Sequence, residues 1–283
     1  FAELLAKDIT PRGVIEPPRT SPRENLMVCH ALSDFHLGVF SNMDPSGKWN
    51  TEIGYQSLLR WVDKTIELSP DADTGLFLQL GDFWHCNGRV PLTPASGHVL
   101  DTDIYWKDVF EMGVEGLIYA IERLLGKHRI VKVVMCEANH DPDANIGAMC
   151  LLKKLYEAND RVQFIDNATG YYAMKWGKTS IFAHHGHKKN ITNVDKTFVA
   201  MFPEIYGNTT YRYGHIGHFH HSKVKPAGDE GLMRVTLHST LAAKDGYAIT
   251  HGYISQRHSQ TTVYSKEHGM LQEFYVTPKM LLI

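Results

Sequence analysis

The chain has 283 residues, enough to bury a substantial core in one large or two smaller domains. Hydrophobic residues at 43% and charged residues at 21% describe an ordinary globular composition, and no run of about 18 apolar residues reads as a membrane span. A formal charge of -2 excludes a global attraction to polyanions, so contact with nucleic acid would have to rest on a local basic face and bound metals.

Residues 1–25 carry Pro11, Pro17, Pro18 and Pro22 among charged and small residues and read as an extended arm or linker ahead of a main domain over 26–283. Position 1 is Phe rather than Met, which leaves room for an upstream domain, and no signal peptide is visible. Residues 26–33 form an apolar run that ends in Asp34-Phe35-His36. Apolar residues at Tyr55, Leu58, Leu59, Val62 and Ile66 then predict a helix over 51–68. The strand expected over 75–80 ends in Gly81-Asp82-Phe83-Trp84-His85. Residues 86–102, rich in Gly, Pro and Ser, read as an insertion rising over the site. A long amphipathic helix is expected over 103–127.

The strand predicted over 130–136 delivers Ala138-Asn139-His140-Asp141, followed by a helix around 144–158 with Asp141 and Asp143 near its positive end. This alternation predicts a parallel or mixed sheet. After Asp160 the pattern changes to short strands over 161–165, 171–176, 179–183, 210–216, 232–237 and a terminal hairpin over 261–276, with one helix near 193–202. The second half is therefore expected to form a second sheet packed on the first. Cys29, Cys86, Cys136 and Cys150 sit in or beside apolar runs without a C-x-x-C pair and read as reduced, buried thiols of a cytoplasmic protein.

Of the 17 histidines, many fall in five clusters that each close an apolar run. Besides the three above, these are His184-His185-Gly186-His187 and Gly217-His218-Phe219-His220. Polar groups at buried strand ends need partners, and carboxylates, an amide oxygen and imidazoles without thiolates suit Mn, Fe, Zn or Mg. That many ligands exceed what one ion needs and suggest two ions sharing a carboxylate, an arrangement suited to in-line displacement at phosphorus.

The order D-x-H, G-D, N-H-D, H and G-H-x-H over residues 26–221 resembles the calcineurin-like metallophosphoesterase family. That resemblance implies a four-layer α-β-β-α sandwich of two mixed sheets. It also implies that Asp34, His36 and His220 hold a first metal, that Asn139, His185 and His218 hold a second, and that Asp82 bridges them. His140 takes the general-acid position, with Asp141 beside it to orient and charge the ring, and water shared by the two dications becomes the nucleophile. His184 and His185 are adjacent and would face opposite ways; the family's ligand precedes Gly, which favours His185. His187, His215 and His221 are open to structural or solvated roles.

Two departures refine the reading. Ala138 stands where the family has Gly, a small change of loop geometry. Phe83-Trp84-His85 lacks the Asp-Arg of protein serine/threonine phosphatases, and a His three residues after the bridging Asp is similar to the double-strand-break repair exonuclease branch. His85 would there face the scissile phosphate. The general look is closest to short single-domain forms encoded by viruses or bacteria.

The expected activity is a phosphodiesterase on nucleic acid, DNA foremost, as exonuclease or endonuclease. The alternatives are a phosphatase or phosphodiesterase on a small phosphate ester or nucleotide, and a non-catalytic binding scaffold. Lys188, Lys189, Lys196, Arg212, Lys223 and Lys225 are candidates for backbone-phosphate contacts. Tyr247, Tyr253, Arg257 and His258 are candidates to stack on or clamp a nucleotide. Self-association is left open.

Overall fold

The first strand, β1 (Arg23–Leu32), lies in the interior of a six-stranded sheet and sets its order. The structure, a computed structural model, describes residues 11–13, 15–18, 23–44, 47–228, 231–244, 246–252 and 255–281. Most of the expected arm over residues 1–25 lies outside these. Of its described part, Ile15 packs against the core and the Arg12 backbone N–H donates to the Leu155 carbonyl at 2.9 Å.

β1 runs parallel to β2 (Ala72–Gln79), which runs parallel to β3 (Ile130–Met135), itself parallel to the short β4 (Val162–Phe164). The connections are helices α1 (Thr51–Leu68), α2 (Trp106–Lys127) and α3 (Pro142–Leu155), as βα alternation requires. Asn50 caps α1 by accepting from the Ile53 N–H at 2.9 Å. Pro142 opens α3 at a position where no backbone donor is needed.

The second sheet has five strands in the order β5-β6-β7-β9-β8: β5 (Tyr172–Trp176), β6 (Thr179–His184), β7 (Tyr211–Ile216), β8 (Lys223–Lys225) and β9 (Arg234–Leu237). Here β6, β7 and β9 are parallel, with antiparallel strands at both edges. Helices α4 (Val194–Met201) and α5 (Pro203–Gly207) precede β7, and α6 (Gly246–Thr250) follows β9.

Two expectations are corrected. Cys29, Cys86 and Cys136 are buried, but Cys150 is exposed on α3, because an amphipathic helix turns one side to solvent. The terminal hairpin, β10 (Ser259–Ser265) and β11 (Gly269–Val276), does not extend the second sheet; β10 pairs antiparallel with β1 and completes the first. β4 likewise joins the first sheet. Period-2 alternation says which residues face inward but not which strand lies alongside.

The three largest apolar clusters among the described residues follow from the alternation. Leu32, Phe77, Val131, Val133 and Met135 meet α1, α2 and α3 on one face of the first sheet. Met27, Cys29, Ala31, Leu76, Leu78 and Val134 face the other way, onto Tyr172, Met174, Ile181 and Ala183 of the second sheet. The far side of that second sheet packs Phe182, Ile216, Val235 and Leu237 against Val194 and Phe198 of α4.

A polar chain is sealed beneath α1. His30 Nε2 lies 3.3 Å from His128 Nε2, His30 Nδ1 is 3.0 Å from Thr65 Oγ1, and His128 Nδ1 donates to the Ala72 carbonyl at 2.8 Å. Gly75 makes room for the His128 ring, since a Cβ there would meet its Cδ2 at 2.4 Å. Burial lowers both imidazoles, His30 well below its ordinary value and His128 to about 4. Their stabilising contribution is therefore full above about pH 6.5 and is lost as pH falls, because the unfolded chain binds these protons first. At pH 5 His128 alone should remove about 2 kcal/mol, at about 1.36 kcal/mol per unit of pH. Urea unfolding at pH 7.5 and 5.0 checks this: the acid loss should shrink in His128→Gln, and an unchanged loss would overturn the account.

Candidate metal centre

Each of the first three polar clusters leaves the carboxyl end of a parallel strand of the first sheet: Asp34 and His36 after β1, Asp82 after β2, Asn139 and His140 after β3. His185 follows β6, and His218 and His220 follow β7, at the corresponding ends of the second sheet. Polar loops at such ends form the natural crevice of an open α/β sheet.

Backbone hydrogen bonds knit the loops together. The N–H groups of Asp34, His36 and Leu37 donate to the carbonyls of Gly81, Asp82 and Phe83 at 3.1, 3.0 and 2.8 Å, and His85 N–H returns to Leu37 at 2.9 Å. The Gly217 N–H donates to the His185 carbonyl at 2.7 Å across β6 and β7. The cost of this close fit is local strain. Asp34, His36, Asp82, His218 and His220 have φ of 49°, 48°, 49°, 75° and 53°, and they are the non-glycine residues in the left-handed region among the described residues. Each such residue costs of order 1–3 kcal/mol and persists only where its surroundings over-determine it. All five belong to the expected ligand set.

The side chains converge into overlapping groups. Asp34, His36 and His220 offer ligand atoms within 4.8 Å of one another, and so do Asp82, His185 and His218. In the first, His36 Nε2 lies 3.2 Å from His220 Nε2, which lies 3.4 Å from Asp34 Oδ1. In the second, His185 Nε2 is 3.1 Å from Asp82 Oδ2 and 3.0 Å from Asn139 Oδ1. His218 links the two: its backbone N–H donates to both Asp34 carboxylate oxygens at 3.0 Å while its ring joins Asp82.

A third group, His36, His85 and His140, adjoins the first. His85 Nδ1 is 3.3 Å from His36 Nδ1, and the His85 ring stacks on His140 at 25° with centroids 5.6 Å apart. His85 is thus part of the cluster itself. The backbone N–H of His140 donates to Asp82 Oδ1 at 2.8 Å, and its ring Nδ1 donates to the His85 carbonyl at 2.9 Å.

The electrostatics are those of buried charge held by imidazoles. Asp34, Asp82 and His185 are at most 1% exposed, so each charge must be paired. Burial alone would raise Asp82, but His185 and His140 hold its carboxyl well below the usual range. Burial would lower His185, but the charge of Asp82 and the hydrogen bond to it lift this ring to about 9. Burial, with His140 and His220 nearby, drives His36 well below its ordinary value, and burial takes His85 to about 3.

The donor set has the chemistry of a divalent-ion site. His36 faces an imidazole nitrogen at each of its own nitrogens, while a neutral imidazole carries only one hydrogen. Such convergence of lone pairs is poorly satisfied by hydrogen bonds alone. Two carboxylates, one amide oxygen and several imidazoles are donors that a borderline or hard divalent cation takes. The residues therefore fit.

Adjacent His184 and His185 are resolved by their directions. The His185 Nδ1 donates to the Leu80 carbonyl at 2.8 Å, leaving Nε2 toward Asp82 and Asn139, whereas His184 stacks on Tyr171 and its Nδ1 accepts from Gly186 N–H at 2.8 Å. His187 stacks on His184 and tilts against His185. His215 is enclosed between the sheets, bonded to His238 at 2.8 Å and Tyr264 at 2.9 Å. His221 is exposed.

Two expected roles change. Asp141 does not orient His140: its Oδ2 accepts from the Trp84 N–H at 2.9 Å, its Oδ1 has no hydrogen-bond partner among the described residues, and burial, with Asp82 adding, raises it to about 7. The His85 carbonyl positions the His140 ring instead. Arg257 is not poised as a clamp, because its Nε donates to the Leu241 carbonyl at 3.0 Å and its guanidinium covers Trp49. His258 packs edge-on against Tyr275. Tyr253 and the Tyr247 side chain lie outside the described residues. Of the basic candidates, Lys188 pairs with Glu137 at 2.9 Å, Lys225 with Asp195 at 2.8 Å, and Arg212 covers the Tyr206 ring. Lys189, Lys196 and Lys223 are exposed.

Supporting residues that the sequence did not single out are Ser33 and Thr240. Ser33 donates its hydroxyl to the Asp34 carboxylate, and Thr240 donates to the Asp34 carbonyl at 2.5 Å. Ser33 was visible only as the end of a strand, and Thr240, alone in a small-residue loop, gave no signal. No described helix is long and apolar enough to cross a membrane. Compared with known protein families and with curated proteins, the chain matches no family and no curated sequence.

Proposed function

We propose that the chain is a dinuclear-metal phosphodiesterase of the calcineurin-like type, built as a four-layer α-β-β-α sandwich and acting on nucleic acid, DNA foremost. The observation that carries this reading is the convergence of Asp34, His36, Asp82, Asn139, His185, His218 and His220 from five strand ends. Asp34, His36 and His220 would hold one ion, and Asn139, His185 and His218 the other. Asp82 would serve both, since its charge acts on His36 as well as on His185. Bound manganese or a similar ion supplies Lewis-acid polarisation of phosphoryl oxygens and acidifies water.

The protein's own groups handle orientation and the leaving group. Bonding of His185 Nδ1 to Leu80 fixes Nε2 as its ligand nitrogen. Bonding of His140 Nδ1 to the His85 carbonyl fixes the hydrogen there, so Nε2 is the atom that exchanges a proton with the departing oxygen. If His36 ligates through Nε2, its Nδ1–H donates to His85 Nδ1, and the hydrogen on His85 Nε2 is then available to a phosphoryl oxygen.

The test is hydrolysis by the manganese-loaded chain of bis-p-nitrophenyl phosphate and of labelled single- and double-stranded DNA, against p-nitrophenyl phosphate. Cleavage of the diesters supports the reading. Preference for the monoester would move it to small phosphate esters, and no product with metal bound would leave a binding scaffold. His140→Asn should lower kcat by about 10²- to 10⁴-fold with manganese affinity unchanged by calorimetry; a kcat within threefold of wild type would remove His140 from the acid role.

A further inference from the structure

We propose that the cavity between the 86–102 insertion and the start of α2 is a nucleoside pocket that receives the base adjoining the cleaved phosphate. This proposal rests on the phosphodiesterase reading above and names its substrate class. The cavity measures about 430 Å³, within the roughly 300–1,000 Å³ range of ligand pockets. It shares a wall with the metal cluster, because His85 lines it while lying 3.3 Å from His36, and Leu37 continues the loop that carries Asp34 and His36.

The remaining lining suits a flat, amphipathic ring. Pro91, Ile104 and Val109 supply apolar surface, Tyr105 and Trp106 supply aromatic faces, and Arg89 supplies a cation. Tyr105 is 85% exposed at the rim, and its ring stacks on nothing among the described residues. Arg89 is exposed and makes no ion pair or hydrogen bond among the described residues. An aromatic face and a guanidinium left without partners beside a phosphate-cleaving centre match a base that stacks and a neighbouring phosphate that needs a counter-charge. Base–aromatic stacking tolerates every base, so the pocket confers preference for nucleotides over simple esters without sequence readout.

Equilibrium binding of deoxyadenosine 5′-monophosphate and of inorganic phosphate to the manganese-loaded full chain tests this. The nucleotide is expected to bind at least about tenfold more tightly than phosphate, and Tyr105→Ala to weaken the nucleotide about tenfold while leaving phosphate unchanged. Arg89→Ala should weaken a dinucleotide more than the mononucleotide. Both side chains are exposed, so folding is not at stake. Equal affinity for the two ligands, or nucleotide affinity unmoved by Tyr105→Ala, would overturn the pocket while phosphate binding keeps the phosphodiesterase reading alive. Failure of both ligands to bind the loaded protein would overturn the two together.

Discussion

Asp82→Asn is expected to lower diester hydrolysis by roughly 10³-fold or more, the rate equivalent of several kcal/mol of lost transition-state stabilisation. The carboxylate is 1% exposed, accepts from the His140 backbone at 2.8 Å and faces His185 at 3.1 Å. An amide has the same shape but carries no charge, so the ring of His185 loses the partner that lifts it to about 9. Manganese calorimetry should show weaker binding and fewer ions retained, and thermal stabilisation by manganese should fall with it. Full activity and full metal loading in this variant would end the shared-carboxylate account.

Gly81→Ala should be strongly disruptive for the addition of a single methyl. Gly81 has φ +96°, and a Cβ there would come within 2.6 Å of both His185 Nδ1 and Ala138 Cβ. None of these neighbours is the free end of a flexible side chain. The strained backbone and the overpacking together should cost roughly 3 kcal/mol, read by urea unfolding in chelator so that metal plays no part. The displaced His185 should in addition lose its bond to Leu80, reducing manganese affinity by about 10- to 100-fold. Gly147→Ala is the control: it lies in α3 with nothing within 4 Å of the added methyl, and should be neutral or stabilise by up to about 1 kcal/mol. A Gly81→Ala protein as stable as wild type would show that the loops after β1 and β2 are less tightly set than their contacts indicate.

Much of this molecule is legible in sequence because the apolar runs are sharp. The helix over 51–68 appears with those bounds, and each polar cluster interrupts a buried strand where nothing but a partner can hold it. Less is legible wherever a distant pairing decides. β10 and β11 carry the same alternation whichever sheet they join, and β8, Lys-Val-Lys at an edge, is too short and charged to read as a strand. The direction of Asp141 was hidden for a related reason: adjacency to His140 in sequence does not set where a side chain points, and the Trp84 N–H from another loop claims it. The surroundings of Arg257 and Lys225 are hidden in the same way, since a cation near a motif in sequence finds its anion or ring elsewhere in space.

The position of β1 bears on how the molecule is made. Its neighbours are β2, which follows within the first third of the chain, and β10, which is synthesised after every strand except β11. On the ribosome, one flank of β1 stays an open edge until residues 259–265 emerge, so the loop bearing Asp34 and His36 is tethered on one side only. Closure of that edge and completion of the candidate metal centre are coupled late events, and a chain cut short before the hairpin is expected to aggregate rather than to fold into a smaller working unit.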